Sequence, residues 1–291
     1  MVKQLGIIGA GKLGRSLGRL LFEAGRYQIA SVINSTPSSA ESAITFMGAG
    51  TAASNFSSMS KSDAILIATQ DAMIEPTCKH LVDAVPNLEG KIIWHASGCL
   101  SSAVLSSAKA AGAWVASVHP IFSFANPSSA VDQFHGTYCG VEGDEEAIRT
   151  LSDDFDAIGG DFVAIVAEKK TLYHAGAVFA SNYLIALLQT STDLYMKAGI
   201  SKQDSIRLIQ PIAKSTLDHF AQFGAVEALT GPIARGEFAV VQRQILELDK
   251  STDRSVSLYR ELGAKAVDIA TAKEGVDRAV LEQMRELLLD M

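Results

Sequence analysis

Gly9, Gly11 and Gly14 stand in the spacing G-x-G-x-x-G, a pattern that lets backbone N–H groups hold phosphate. An apolar run, Leu5–Ile8, precedes it, and an amphipathic helical pattern, Lys12–Ala24, comes after it. In that setting Gly9 permits the tight turn, Gly11 lets the backbone approach a pyrophosphate, and Gly14 lets helix and strand close together. The free N–H groups and the positive end of the helix dipole complete an anion site. The segment Gly9-Ala10-Gly11-Lys12-Leu13-Gly14 therefore reads as a dinucleotide loop. The next apolar run ends at Ile33 and is followed by Asn34-Ser35-Thr36. NAD-selective folds place an acid here for the ribose 2′-hydroxyl, and an acid would repel a 2′-phosphate. Asn34, Ser35 and Thr36 can donate to such a phosphate, so NADP(H) is favoured over NAD. No arginine stands at either of the two positions after Asn34; Lys12 is the alternative cation, unless it is a solvated surface charge.

A second set of groups able to do chemistry lies on one helical segment: Lys170, Tyr173, His174, Ser181 and Asn182. At about 100° per residue, His174 and Ser181 differ by roughly 20° around a helix, Lys170 lies about 40° away, and Asn182 about 80°. Polar groups on one side of an Ala-, Val- and Leu-rich helix suggest the wall of a cleft. Hydride transfer to a ketone leaves an alkoxide that needs a proton, which a His or Lys can supply. His174 is the first candidate for that acid and Lys170 the second; a core histidine bonded to a backbone carbonyl is the alternative for His174. In open α/β sheets ligands lie beyond the carboxyl ends of the strands. That rule nominates Ala68-Thr69-Gln70 and Ser97 for the cofactor, and His119 and Ser123 for the substrate, with ordinary turn chemistry as the alternative. Arg235 offers a forked guanidinium for a substrate carboxylate, unless it bridges Glu237. No His, Cys or acid spacing suggests a metal.

These groups need elements to position them. Short apolar runs (Leu5–Ile8, Ile29–Ile33, Ala64–Ala68, Lys91–His95 and Ala113–Val118) alternate with helical patterns at Lys12–Ala24, Asp71–Val85 and Ser101–Ala111. Such alternation implies βαβ units and a parallel sheet. Two more strands, Thr137–Val141 and Phe162–Val166, flank a helix at Glu145–Ala157. After Val166 the pattern is helical, with breaks at Gly199–Ser201, Phe223–Gly224, Thr230–Pro232 and Glu274–Gly275. The expected fold is thus α/β: a Rossmann dinucleotide-binding domain over residues 1–165, then an all-helical domain over residues 166–291.

Composition fits this. The chain has 291 residues, 48% hydrophobic and 20% charged, and a formal charge of −7. That charge argues against nucleic acid and anionic membrane as partners. No run of about 18 uninterrupted apolar residues suggests a membrane span. Three scattered cysteines, Cys78, Cys99 and Cys139, form no disulfide framework, which points to reduced thiols in the cytoplasm. The long apolar helices after Ala167 hint at a homodimer.

The glycine loop, Ala68-Thr69-Gln70-Asp71-Ala72-Met73-Ile74, Trp94–Ser101, Ser117–Phe124 and Leu229–Glu237 together resemble, in order, the Rossmann-like/DUF2520 proteins, relatives of pyrroline-5-carboxylate reductase and of 6-phosphogluconate dehydrogenase-like enzymes. Thr69-Gln70 departs from the Pro-Asp more common there. The resemblance implies a Rossmann domain, a helical domain that pairs two copies, and an active site with a small-molecule substrate. It also implies a Lys acid/base and an Asn that orients substrate on the first helix of the second half; Lys170 and Asn182 are more widely spaced than usual. Some members of this layout reduce ketopantoate. The resulting expectation is an NADPH-dependent reductase of a small carboxylated carbonyl compound, with imine reduction or non-catalytic NADP binding as alternatives.

Overall fold

The computed structural model describes residues 2–250 and 254–289. The chain divides into two compact units, the first ending at Ser181 and the second beginning at Asn182.

In the first unit the elements run β1 (Lys3–Ile8), α1 (Lys12–Glu23), β2 (Tyr27–Ile33), α2 (Pro37–Met47), β3 (Thr51–Ala52), β4 (Ala64–Ile67), α3 (Asp71–Ala84), β5 (Ile92–His95), α4 (Ser106–Ala110), β6 (Trp114–Pro120), α5 (Pro127–Gln133), β7 (Thr137–Gly143), α6 (Glu145–Asp156), β8 (Gly160–Ala164) and α7 (Lys170–Val178). The strands form one sheet in the order β3-β2-β1-β4-β5-β6-β7-β8. Every pairing is parallel except β6 with β7, which is antiparallel. The five strands expected from the alternating runs are parallel to one another, and the direction reverses at the later β7. Only the seven-residue α5 lies between β6 and β7, and the chain turns back instead of crossing over.

Alternation within the buried strands explains the layers. Leu5, Ile7, Leu66 and Trp94 enter one apolar cluster with Leu17 and Leu21 of α1 and Leu151 and Phe155 of α6. Ile8, Ile65, Ile67 and Ile93 enter a second, with Ile74 and Leu81 of α3 and Ala108 of α4. Both faces of the central strands are covered, so these strands read as continuous apolar runs. The two-residue β3 has too little pattern to be legible in sequence.

The second unit contains α8 (Leu184–Lys197), α9 (Lys202–Ala228), α10 (Phe238–Leu248), α11 (Ser255–Ala270) and α12 (Arg278–Leu289). Its core gathers Val241, Ile245, Val267, Leu281, Met284 and Leu288. Ser201 caps α9 by accepting from Asp204 N at 3.1 Å. Gly224, expected as a break, is a left-handed kink within α9 (φ 76°). A five-residue π-helical turn, Phe179–Tyr183, comes directly after α7. The helical stretch Ala167–Lys197 is long and apolar enough to cross a membrane by length and composition, although it holds no run of 18 uninterrupted apolar residues. Its first part, however, carries Lys170, Tyr173 and His174 in polar and ring contacts with the sheet.

The sequence places the domain boundary near residue 165; the compact units divide after Ser181, and α7 contacts β6 at Ser117 and His119.

At the amino-terminal end of β1 and β2, the wholly buried Asp154 of α6 accepts from Lys3 Nζ at 2.8 Å, Arg26 Nε at 2.8 Å and the Tyr27 hydroxyl at 2.6 Å. The Tyr27 phenol is pushed far above its ordinary pKa, first by burial and then by the Asp154 charge. Asp154→Ala is expected to cost about 3 kcal/mol, the low end for breaking a buried pair because Lys3 and Arg26 can turn to water. Urea denaturation should show this as a lower midpoint with an unchanged slope; an unshifted midpoint would show that the cluster contributes no net stability.

Candidate functional site

The strand order reverses between β1 and β4, where doubly wound sheets open a crevice at the carboxyl ends of their strands. Gly9 turns the chain there at φ 90° and donates its N–H to Ile33 O at 2.8 Å. A Cβ on Gly9 would lie 2.7 Å from Thr69 N, and one on Gly14 would lie 2.6 Å from Gly9 O. A Cβ on Gly11 would meet no protein atom within 4 Å. Two glycines are thus required by the protein's own packing, and the third faces open space that a phosphate group fits.

That space is part of a groove of about 670 Å³ bordered by Gly11, Arg15, Asn34, Ser35, Thr69 and Gln70. Asn34 Oδ1 accepts from Ala10 N at 2.6 Å, so its oxygen fixes the glycine loop while its amide nitrogen remains a donor. Thr36 lies outside the groove lining: its Oγ1 caps α2 by accepting from Ser39 N at 3.3 Å. Lys12 is exposed and lines neither this groove nor the cleft described next.

A smaller cleft of about 270 Å³ adjoins the groove at Ala68 and Thr69. Leu13, Asp71, Ser97, Gly98, His119 and His174 also line it. Ser97 Oγ donates to Asp71 Oδ2 at 2.9 Å and accepts from Cys99 N and Leu100 N at 3.1 and 3.0 Å. Its hydroxyl is therefore occupied in shaping the β5 turn and fixing Asp71. His119 Nδ1 bonds the Tyr173 hydroxyl at 3.0 Å, and its ring meets that of His174 edge-on with centroids 5.6 Å apart. Gly98 lies beneath both rings: a Cβ there would collide with His174 Nδ1 and approach His119 Nε2 to 2.8 Å. Thr69 Oγ1 and His174 Nδ1 are buried without a hydrogen-bond partner. Both belong to residues lining this cleft, so it holds unsatisfied polar atoms that suit a polar ligand. These orphans, with the open cradle at Gly11, fit a dinucleotide laid from groove to cleft.

Behind the cleft lies a buried ion pair. Lys170 donates to Ser117 Oγ, and its Nζ is 3.6 Å from Glu142 Oε1. Glu142 accepts from Ser102 N at 2.8 Å and Ser102 Oγ at 2.7 Å. Burial lowers the Lys170 pKa to about 8, against the opposing pull of Glu142. His95 accepts from Ser97 N at 3.1 Å and turns its other nitrogen to Ser101 O at 3.2 Å. The core histidine satisfied by a carbonyl is thus His95, not His174.

Of the sequence candidates, His174 and His119 come together in the cleft, whereas Lys170 is 1% exposed and does not line it. Ser123 is exposed in the loop after β6, outside the cleft lining. Ser181 and Asn182 are exposed in the π-helical turn. Arg235 holds Glu237 in a forked pair at 2.8 and 2.9 Å, so the bridging alternative is the one observed. Arg15, Asp71 and Glu142 are not among the sequence candidates. Asp71 has a signal as an acid at the start of α3, and Glu142 as a lone charge at the end of an apolar strand.

Residues 4–94 match the family described as NADP oxidoreductase coenzyme F420-dependent, and residues 137–266 match a domain of unknown function, DUF2520. The chain is an NADP-dependent oxidoreductase carrying a DUF2520 domain. The oxidoreductase is similar to a solved Thermotoga maritima protein at 28% identity and TM-score 0.70, over 92% of this chain and 98% of that one. An imine reductase from Myxococcus stipitatus in complex with NADP+ shares the fold at 15% identity and TM-score 0.68, covering 97% and 99% of the two chains. A Plasmodium falciparum pyrroline carboxylate reductase with NADP bound does so at 14% identity and TM-score 0.61, covering 98% of each. No curated protein matches the oxidoreductase significantly.

Two rings of the site region are held neutral. Burial, then the Lys170 charge, lowers His95 to about 3; burial, then the charges of His174 and Lys170, lowers His119 to about 4. Between their ordinary value of 6.5 and these values, the unfolded chain binds protons that the folded one refuses. Stability therefore falls as pH drops through that window. The urea midpoint is expected to be lower at about pH 4.5 than at about pH 7, and His95→Gln should flatten the decline. An equally steep decline in H95Q would remove His95 from this account.

Proposed function

We propose that the oxidoreductase reduces the C=N bond of a small protonated imine in the cleft lined by Thr69, Asp71, His119 and His174. The observation that carries this is the cleft's charge: Asp71 is its carboxylate, and neither lysine nor arginine is among its lining residues. Such a lining, with Asp71 at the cleft and the Lys170 cation buried behind it beside Glu142, favours a cationic iminium over the carboxylate of a keto acid. Two fold relatives, an imine reductase and a pyrroline carboxylate reductase, bear names consistent with this class.

When bound, NADPH supplies the hydride. The backbone at Gly9–Gly11 and the amide of Asn34 would hold its phosphates and adenosine ribose, with Thr69 among the residues shared by groove and cleft. Asp71, anchored by Ser97, faces the substrate cation. His119 is neutral near pH 7, with Nδ1 hydrogen-bonded to the Tyr173 hydroxyl and Nε2 beside Gly98. An iminium already carries the proton that a ketone would need after hydride transfer, so this reaction needs no general acid.

Carbonyl reduction is the second reading, favoured by one observation: His174 Nδ1 is buried in the cleft region without a partner and suits protonation of an alkoxide. Its substrates would be small α-keto acids, ketopantoate among them. Loss of NADPH absorbance, measured with a panel of cyclic imines and a panel of α-keto acids, separates the two. Imine turnover that survives His174→Ala and falls about tenfold in kcat/KM in Asp71→Asn is expected. Turnover of keto acids alone, abolished by H174A, would overturn the imine reading. Tight NADPH binding with neither panel turned over would favour a sensing role.

We further propose that two copies pair through the helical half. Ile185, Ile206, Ile212, Leu217 and Phe220 are all more than half exposed on α8 and α9, an amount of apolar surface that monomers rarely leave uncovered. Sedimentation equilibrium should give twice the mass of the chain; a monomer at micromolar concentration would refute the pairing.

A further inference from the structure

NADP selectivity requires a cation for the 2′-phosphate, and the usual position after β2 carries Ser35 instead. We infer that Arg15, on the opposite wall of the groove, supplies that cation from α1. The inference rests on the cofactor being NADP(H).

Four observations converge on it. Arg15 lines the same groove as Asn34, Ser35 and Ser39, the residues at the β2 end where the adenosine ribose belongs in this fold. Its Nε donates to Ala10 O and Gly11 O, each at 3.3 Å, which pins the guanidinium to the glycine loop. Its Nη1 reaches only Ser42 Oγ, at 3.5 Å, and no carboxylate pairs with it among the described residues. No Asp or Glu lines the groove, although the chain carries a net charge of −7. A guanidinium without a carboxylate partner, held by its inner nitrogen on the wall of a groove free of acids, is matched to a phosphate dianion. Ser35 adds a hydroxyl donor, and the amino-terminal end of α2 adds a favourable dipole.

This accounts for an otherwise contradictory pair of sequence features. Asn34-Ser35-Thr36 lacks the acid that would select NAD, yet also lacks an arginine. The arginine has not been lost from the site; it enters from one helix earlier. Lys12, the sequence alternative, is exposed outside the groove.

Isothermal titration of wild type, Arg15→Ala and Arg15→Lys with NADP+, NAD+, 2′,5′-ADP and 5′-AMP tests the inference without turnover. Wild type should bind NADP+ and 2′,5′-ADP more tightly than NAD+ and 5′-AMP. R15A should weaken both 2′-phosphorylated ligands by about 10- to 100-fold while leaving NAD+ and 5′-AMP within about twofold. R15K should recover part of the loss, since a point charge replaces the fork. Equal weakening of NADP+ and NAD+ by R15A would assign Arg15 to the pyrophosphate and overturn the inference, as would unchanged discrimination in R15A. A wild type without preference for the 2′-phosphorylated ligands would overturn it by removing the NADP preference itself, an outcome separable from the other two. Circular dichroism of each variant checks that the fold is retained.

Discussion

The arrangement depends on how closely α1 can approach the ends of β1 and β4. Gly14 has the Gly9 carbonyl and the Ala68 Cβ where a side chain would be, and Gly9 has the Thr69 backbone there. With no side chains at those two points, the first N–H groups of α1 open directly onto the crevice. The same contact makes Ala68 and Thr69 common to the groove and the cleft. A bulkier residue at Gly14 would push the helix off the strands and separate the two spaces, so one steric condition sets both phosphate binding and the continuity of the site. The cradle at Gly11 then costs nothing further, because open space needs no packing to maintain it.

A second constraint acts through α7. Lys170 reaches Ser117 and Glu142, Tyr173 reaches His119, and His174 meets His119 edge-on. Burying Lys170 carries a desolvation penalty that Glu142 only partly offsets, and a buried ion pair is a weak stabiliser. What the pair does supply is register. Sliding α7 by one residue would strand Lys170 without Ser117 or Glu142 and leave Glu142 only its bonds from Ser102, a cost that opposes any shifted register. The ion pair thus fixes where His174, one helical turn later, meets Gly98. This is why α7 belongs with the sheet, although its sequence is as helical and apolar as that of α8.

Much of this is legible in the residues. The glycine spacing, the five apolar strand runs and the helical second half come from local pattern, and the structure places them where that pattern puts them. The antiparallel β7 is not legible, because strand direction depends on whether the chain crosses over after β6, and seven helical residues there do not reveal it. Arg15 escapes a sequence reading because the phosphate clamp is expected at the strand end; a helix presents a residue across the groove only once α1 and α2 are packed. Asp71 reads as part of a loop motif, since its role depends on Ser97 arriving from the next strand. Arg235 has the right chemistry for a carboxylate, but its nearest carboxylate, Glu237, is two residues away.

The site carries opposite charges at its two ends, and this bears on how each end works. Arg15 lies beside the groove and Asp71 beside the cleft. A positive charge at the adenosine end meets a phosphate that is unchanged by the reaction, so it contributes binding and selectivity but no rate. At the other end, reduction of an iminium moves one positive charge from the substrate nitrogen to the nicotinamide ring, both near the same carboxylate. Asp71 therefore stabilises substrate, transition state and product to similar extents. By that logic its effect falls mainly on the capture of the cation, and the rate of the chemical step is left to how the cleft brings the two reacting carbons together. A neutral ketone behaves differently: charge separates during the reaction, and a carboxylate then opposes the developing alkoxide while favouring the oxidised ring. The same side chain thus helps one substrate class throughout and divides against itself for the other, which is the physical ground for preferring the imine.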